Sequence, residues 1–244
     1  MTFDLLPLRL HLTARQRLDF GPGAAGNLLR GTFGAALKRV ACVPECRDAR
    51  VCPRRASCAY ARLFEPAAAA GTGPSGLADW PRPFVFRVRH LDGVSVPSGG
   101  AFHVDLHLFE TRAPLAPEFL RAFEEMSHSA LAWVEPSPEL LRLPLEPAAE
   151  PVRRIRVEFL SPTQLKAEGG LAARPGFRIL FGRARDRVAT LRALYGAGAL
   201  EIDFAALGRR AASVRTTICE IARVATERRS ARTGHPQPRT AETP

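Results

Sequence analysis

No run in this 244-residue chain approaches the roughly 20 apolar residues that span a bilayer. That excludes a helical membrane protein. The opening, MTFDLLPLRLHLTARQR, alternates and carries charge where a secretory signal keeps an apolar stretch. The expectation is a cytoplasmic chain with no membrane partner, its five cysteines reduced unless a metal holds them. A phosphate-binding P-loop, a Rossmann glycine fingerprint and a nucleophile elbow are all missing. Lysine is scarce: Lys38 and Lys166 stand alone among 35 basic residues, and arginine supplies the rest. Against 24 acidic residues the balance is +11. Arginine holds phosphate with a planar fork of donors, so the excess suits a nucleic-acid partner. A GC-rich coding bias would also favour arginine, alanine and proline. The apolar fraction of 46% is ordinary for a globular protein.

What is present reads as alternating strands and helices. Leu6, Leu8, Leu10 and Leu12 alternate with polar residues and predict a first strand. GPGAAGN turns the chain, Asn27 is placed to cap a helix, and Leu29, Phe33, Ala36, Leu37 and Val40 form its apolar face. Gly31 and Gly34 weaken that helix by up to ~1 kcal/mol each and suit a site of close approach. From Cys42 to about Trp80 the chain reads as an insertion ending in a flexible AAAAGTGPSG loop. Phe84, Phe86 and Val88 begin a second strand, and Phe102 to Leu108 a third, joined by turn-rich sequence. A second helix is expected from Pro117 to Trp133, and a last strand over Leu140–Leu145. This βαββαβ order is the ferredoxin-like pattern, assigned to residues 1–147.

The proline-rich stretch from Glu146 to Val152 reads as a linker. In RRIRVEFLSPTQLK, from Arg153 to Lys166, Ile155, Val157 and Phe159 alternate with charged residues and predict a strand with one buried face. Ser161-Pro162 stops it. A helix follows directly, with Phe177, Leu180, Phe181, Ala184, Val188, Leu191 and Tyr195 on one stripe. Asp203 is placed to cap another helix, and Thr216–Thr226 alternates imperfectly as a strand. Residues 153–226 thus form a partial second domain, and 227–244 a basic, disordered tail.

Cys42, Cys46, Cys52 and Cys58 are spaced C-x3-C-x5-C-x5-C. Four thiolates suit a structural zinc, but the closely spaced C-x2-C knuckle is absent. They bind metal or remain reduced thiols. Cys219 sits alone in apolar sequence and reads as a core residue. His103, Asp105 and His107 share one face of the third strand, as metal ligands, acid–base groups or a plain wet face. His11 lies on the polar face of the first strand, and His128 near a helix end, where a cation suits the dipole.

Several of these segments carry a resemblance. FLSPTQLK, GLAARPGF, LRALYG and LEIDFAAL, in that order, resemble the C-terminal domain of the CRISPR-associated repeat-RNA processing endoribonucleases, in the RAMP superfamily. NLLRGTFGAALKRVACV, the spaced cysteines, YARLFEP and PRPFVF resemble its N-terminal part, and ERRSARTG a basic strand end. The resemblance implies an α+β fold of tandem ferredoxin-like (RRM-like) domains, the second incomplete here. It implies binding of CRISPR repeat RNA, with other effector subunits as further partners. It also implies metal-independent cleavage, in which a 2′-hydroxyl attacks the adjacent phosphate to leave a 2′,3′-cyclic phosphate and a 5′-hydroxyl. No cofactor serves that step; a histidine commonly moves the protons. Arg30, Lys38, Arg39, Lys166, Arg228, Arg229 and Arg232 are the candidate RNA contacts. No catalytic residue is carried over, because residues 27–40 hold no histidine and position 35 is Ala35. The glycine-rich loop near the end of such proteins has no counterpart either, so the chain reads as truncated, with an exposed sheet edge and poor solubility or oligomerisation expected. A non-catalytic RNA-binding subunit and an inactive remnant are the alternative readings.

Overall fold

The computed structural model describes residues 1–43, 45, 46, 48, 49, 51–67, 80–111, 115–126, 128–135, 139–160, 163–167, 170–229 and 236–243. The chain divides into two units, Met1–Leu145 with Thr190–Ala199, and Glu146–Ala189 with Leu200–Pro244. Both helices and antiparallel strands are present, so the class is α+β.

The first unit is built on β1 (Thr2–Ala14), with β2 (Leu18–Asp19), α1 (Ala25–Ala41), α2 (Ala59–Leu63), β3 (Phe84–Arg87), β4 (Ser95–Val96), β5 (Ala101–Leu108), α3 (Ala116–Glu124), β6 (Ser129–Val134) and β7 (Leu141–Pro144) following in order. The main sheet runs β3-β5-β1-β6, all antiparallel, and β7 pairs with the first residues of β1. β1 is long enough to serve β7 at Thr2–Leu5 and β6 at Leu10–Ala14. The alternation of its leucines decides which face is covered. Leu8, Leu10 and Leu12, with Val104, Leu106 and Leu108 of β5, are buried against α1 and α3. Arg9, His11, His103, Asp105 and His107 point to the other, open face.

Phe33 of α1 anchors the core. Its ring stacks on Phe119 at 4.8 Å and meets Phe84 and Phe86 edge-on, both at 5.5 Å. Removing so large a buried side chain typically costs about 3–5 kcal/mol. The start of α1 differs from the sequence expectation. Asn27 lies inside the helix and accepts a hydrogen bond from Arg30, while the Ala25 N–H donates to the Asp92 carboxylate at 3.0 Å. A carboxylate from a distant turn thus satisfies an orphan donor that local sequence leaves open. Gly34 is needed for packing: a Cβ there would lie 2.3 Å from the Phe64 ring, whereas at Gly31 it would meet nothing within 4 Å. Arg82 covers the Phe64 ring at 4.5 Å.

The expected second helix is a correction. α3 ends at Glu124, and Ser129–Val134, Trp133 included, is strand β6. The outer edge of β1 offers unpaired N–H and C=O groups, and 129–134 satisfy them. His128 therefore precedes a strand, its Nδ1 2.7 Å from Gln16 Nε2. Much of the expected flexible loop, 68–79, lies outside the described residues.

The second unit holds β8 (Lys166–Ala167), β9 (Gly170–Leu171), most of α4 (Phe177–Tyr195), α5 (Phe204–Ser213), β10 (Ala222–Arg229) and β11 (Pro236–Thr243). Asp203 caps α5 as its sequence suggests, accepting from the Ala206 N–H at 2.8 Å. The expected strand over Ile155, Val157 and Phe159 does not form. Residues 151–159 pair with no described strand, and Ile155 and Val157 are about half exposed, at 53% and 50%. Alternation alone cannot hold a strand whose N–H and C=O groups lack a ladder. The small hairpin β8–β9 precedes α4, so the helix does not follow Pro162 directly. The last expected strand begins later than Thr216, at Ala222, and pairs β11, where a tail was expected. Cys219 is only half-buried, not a core residue.

Candidate functional site

Two groups of side chains stand out, one on the open face of the main sheet and one in the segment between α1 and α2. On the sheet, pairing sets side chains in rows. His103 of β5, His11 of β1 and Trp133 of β6 lie side by side. In the next row come Arg87, Asp105 and Arg9, with Glu135 just past β6 donating its N–H to the Arg9 carbonyl.

Trp133 is 52% exposed and lies flat on His11, ring centres 4.0 Å apart and planes 2° from parallel. The other end of the row is also stacked: His90 lies over His103 at 4.1 Å. His11 and His103 are 6.1 Å apart, ring to ring. Carboxylates fix the surroundings. Glu135 Oε1 is 3.0 Å from His11 Nε2. Asp105 accepts two hydrogen bonds from Arg9, at 2.6 and 3.0 Å, and that guanidinium holds its carboxyl below the usual range. Burial, then the neighbouring His90, lowers the pKa of His103; burial, then Arg87, lowers that of His107. Both therefore favour the neutral ring, whose unprotonated nitrogen is free to take a proton but holds it less tightly than an ordinary imidazole.

Ligand atoms of His90, His103 and Asp105 lie within 4.8 Å of one another. The trio is a poor metal cage. Asp105 is bidentate on Arg9, His90 Nε2 is 3.1 Å from the His103 carbonyl oxygen, and stacked rings aim their in-plane lone pairs side by side, not at one point. An adjacent guanidinium opposes a cation as well.

The second group is Cys42, Cys46, Cys52 and Cys58. All four line one cavity of about 220 Å³, with Arg54 and Ser57. The Cys42 thiol contacts those of Cys46 and Cys58, and Cys46 also meets Cys52. The Cys58 thiol donates to the Ala41 carbonyl at 3.7 Å. Burial, then the neighbouring thiols, pushes Cys42 up to about 12.

The basic candidates are more scattered. Arg30, Lys38 and Arg39 ride on α1, in the layer opposite the open sheet face. Lys38 lies 6.0 Å from the Tyr60 ring centre, and Arg39 donates to the Glu125 carbonyl at 2.7 Å. Lys166 is exposed in β8. Arg228 and Arg229 belong to β10, and Arg232 lies outside the described residues. His90, Arg9, Arg87, Trp133 and Glu135 escaped sequence reading. The alternation of β1 could have found Arg9; Trp133 was hidden by its assignment to a helix.

Residues 3–145 match the family model AF_1859_N, described as an N-terminal domain, and the chain belongs to that family. Neither the curated proteins nor the solved structures give a match. Among the described residues no helix is long and apolar enough to cross a membrane.

Proposed function

We propose that the chain binds CRISPR repeat RNA on the open face of its N-terminal sheet and cuts it there without metal. Fold and sequence support the reading together. The order β1-α1-β3-β5-α3-β6, with sheet order β3-β5-β1-β6, agrees with a ferredoxin-like domain, the first of a proposed tandem pair. The sequence segments resemble the repeat-RNA endoribonucleases. The observation that carries it is the row His103–His11–Trp133 beside Arg9 and Arg87.

Single-stranded RNA is commonly read on such a sheet by stacking bases on aromatic rings. Trp133 has one ring face on His11 and offers the other to a base. Arg9 and Arg87 oppose the phosphate charge. His103, favoured neutral, takes the proton of the 2′-hydroxyl as O2′ bonds to phosphorus. The P–O5′ bond breaks, and His11 returns a proton to the leaving oxygen. Asp105 orients Arg9, and Glu135 orients His11. Arg30, Lys38 and Arg39, with Lys166, Arg228, Arg229 and Arg232 of the second unit, are proposed contacts to more distant phosphates.

Trp133→Ala tests the platform. Loss of one base stack costs about 1–3 kcal/mol, so repeat-RNA affinity is expected to fall roughly fivefold to 150-fold at fixed salt. Unchanged affinity would overturn the placement of RNA on this face. Binding without cleavage by the unaltered chain would favour a non-catalytic RNA-binding subunit of an effector complex.

A further inference from the structure

The cysteine cavity has no part in the RNA chemistry above and does not rest on that reading. All four cysteines line it, each beside at least one other, in a segment whose described residues are linked mainly by turns. Among the described residues between α1 and α2, Ala49 is the one buried apolar side chain. Isolated turns link the rest: Cys46 N–H donates to the Val43 carbonyl, and Arg55 N–H to that of Cys52. Such a connection buries too little apolar surface to offset its own conformational entropy. Yet it must deliver α2 accurately, because Tyr60, Ala61 and Leu63 enter the core and Phe64 fits against Gly34. A cross-link between Cys42, at the end of α1, and Cys58, directly before α2, does that.

We propose that Cys42, Cys46, Cys52 and Cys58 bind one zinc ion as four thiolates. Soft sulfur donors, with no carboxylate or imidazole in the cavity lining among the described residues, select zinc over magnesium or calcium. The four thiols release their protons to solvent as the ion binds, and nothing is oxidised or reduced. Arg54 in the lining opposes the net negative charge of the tetrathiolate. The sequence spacing lacks a short knuckle, but folding brings together the pairs that spacing leaves apart.

The test uses the full chain purified under reducing conditions without added metal. Elemental analysis is expected to find about one zinc per chain. In the folded protein a thiol reagent should react with Cys219 and spare the other four until the metal is extracted. Cobalt(II) exchanged into the site should show the intense visible bands and sulfur charge-transfer absorption of a tetrahedral thiolate complex. Cys52→Ser should lose the metal; should that variant fail to fold, the reagent and cobalt measurements on the unaltered chain still decide. Cys219→Ser should leave the metal content unchanged. A folded chain with no metal and five reactive thiols would overturn the inference. So would an iron–sulfur cluster in the cavity, or two disulfides joining the four cysteines.

Discussion

Gly34 shows how one missing methyl group can position an element. A Cβ there would stand 2.3 Å from the Phe64 ring, which Arg82 also covers. Gly34→Ala should therefore destabilise the fold by about 1–3 kcal/mol through overpacking, despite the better helix propensity of alanine. Gly31→Ala, with open space around it, should instead stabilise by up to ~1 kcal/mol. Chemical denaturation midpoints of the two variants decide the matter, and equal shifts would contradict the packing. His103 gives a pH dependence. Its folded pKa is lowered, by burial first, so the folded state binds its proton less tightly than the unfolded chain. Stability is then fully present above the unfolded value of about 6.5 and is lost as pH falls from there through the folded pKa. His107 acts in the same direction. The double variant His103→Gln/His107→Gln should flatten the stability curve below about pH 6.5; an unaltered slope would assign the dependence elsewhere. In sequence, HVDLH displays these histidines plainly, but His90, which shifts one of them, comes from a turn outside that motif.

At the scale of elements, the sequence was most legible where one face of a strand or helix is buried. β1, β5 and α1 follow the periodicity of their apolar residues, because packing forces polar groups outward, whereas α4 buries only Leu191 and Tyr195 of its predicted stripe. It was least legible where partners decide. SALAWV is short enough to suit either form, and the free edge of β1 makes it a strand. Arg153–Phe159 alternates well and forms none, for want of a ladder. This is why the candidate site was half visible: the histidine motif stood out, whereas the tryptophan beside His11 lay in the misassigned element. The start of α1 was likewise hidden, since its partner Asp92 arrives from another turn. Asp92→Ala should cost about 0.5–2 kcal/mol, the usual worth of a helix cap. Thermal or denaturant unfolding measures it, and a neutral result would show that water satisfies the Ala25 N–H equally well.

For the whole molecule, the family match over residues 3–145 falls within the first unit, the unit that carries both the histidine row and the cysteine cavity. The +11 charge should make RNA binding steeply salt-dependent through release of counterions. Changing Lys38 and Arg39 together to alanine should lower the log-affinity slope against log-salt by about 0.7 for each single-strand phosphate that α1 no longer neutralises. An unchanged slope would take α1 out of the interface. The proposed cleavage is tested most directly by mixing the full chain with its own repeat RNA, after magnesium and manganese are removed on a chelating resin. The prediction is one cut ending in a 2′,3′-cyclic phosphate, abolished in His11→Ala and in His103→Ala while Trp133→Ala mainly weakens binding. A cut that survives loss of both histidines, or that requires added magnesium, would contradict catalysis on the sheet face.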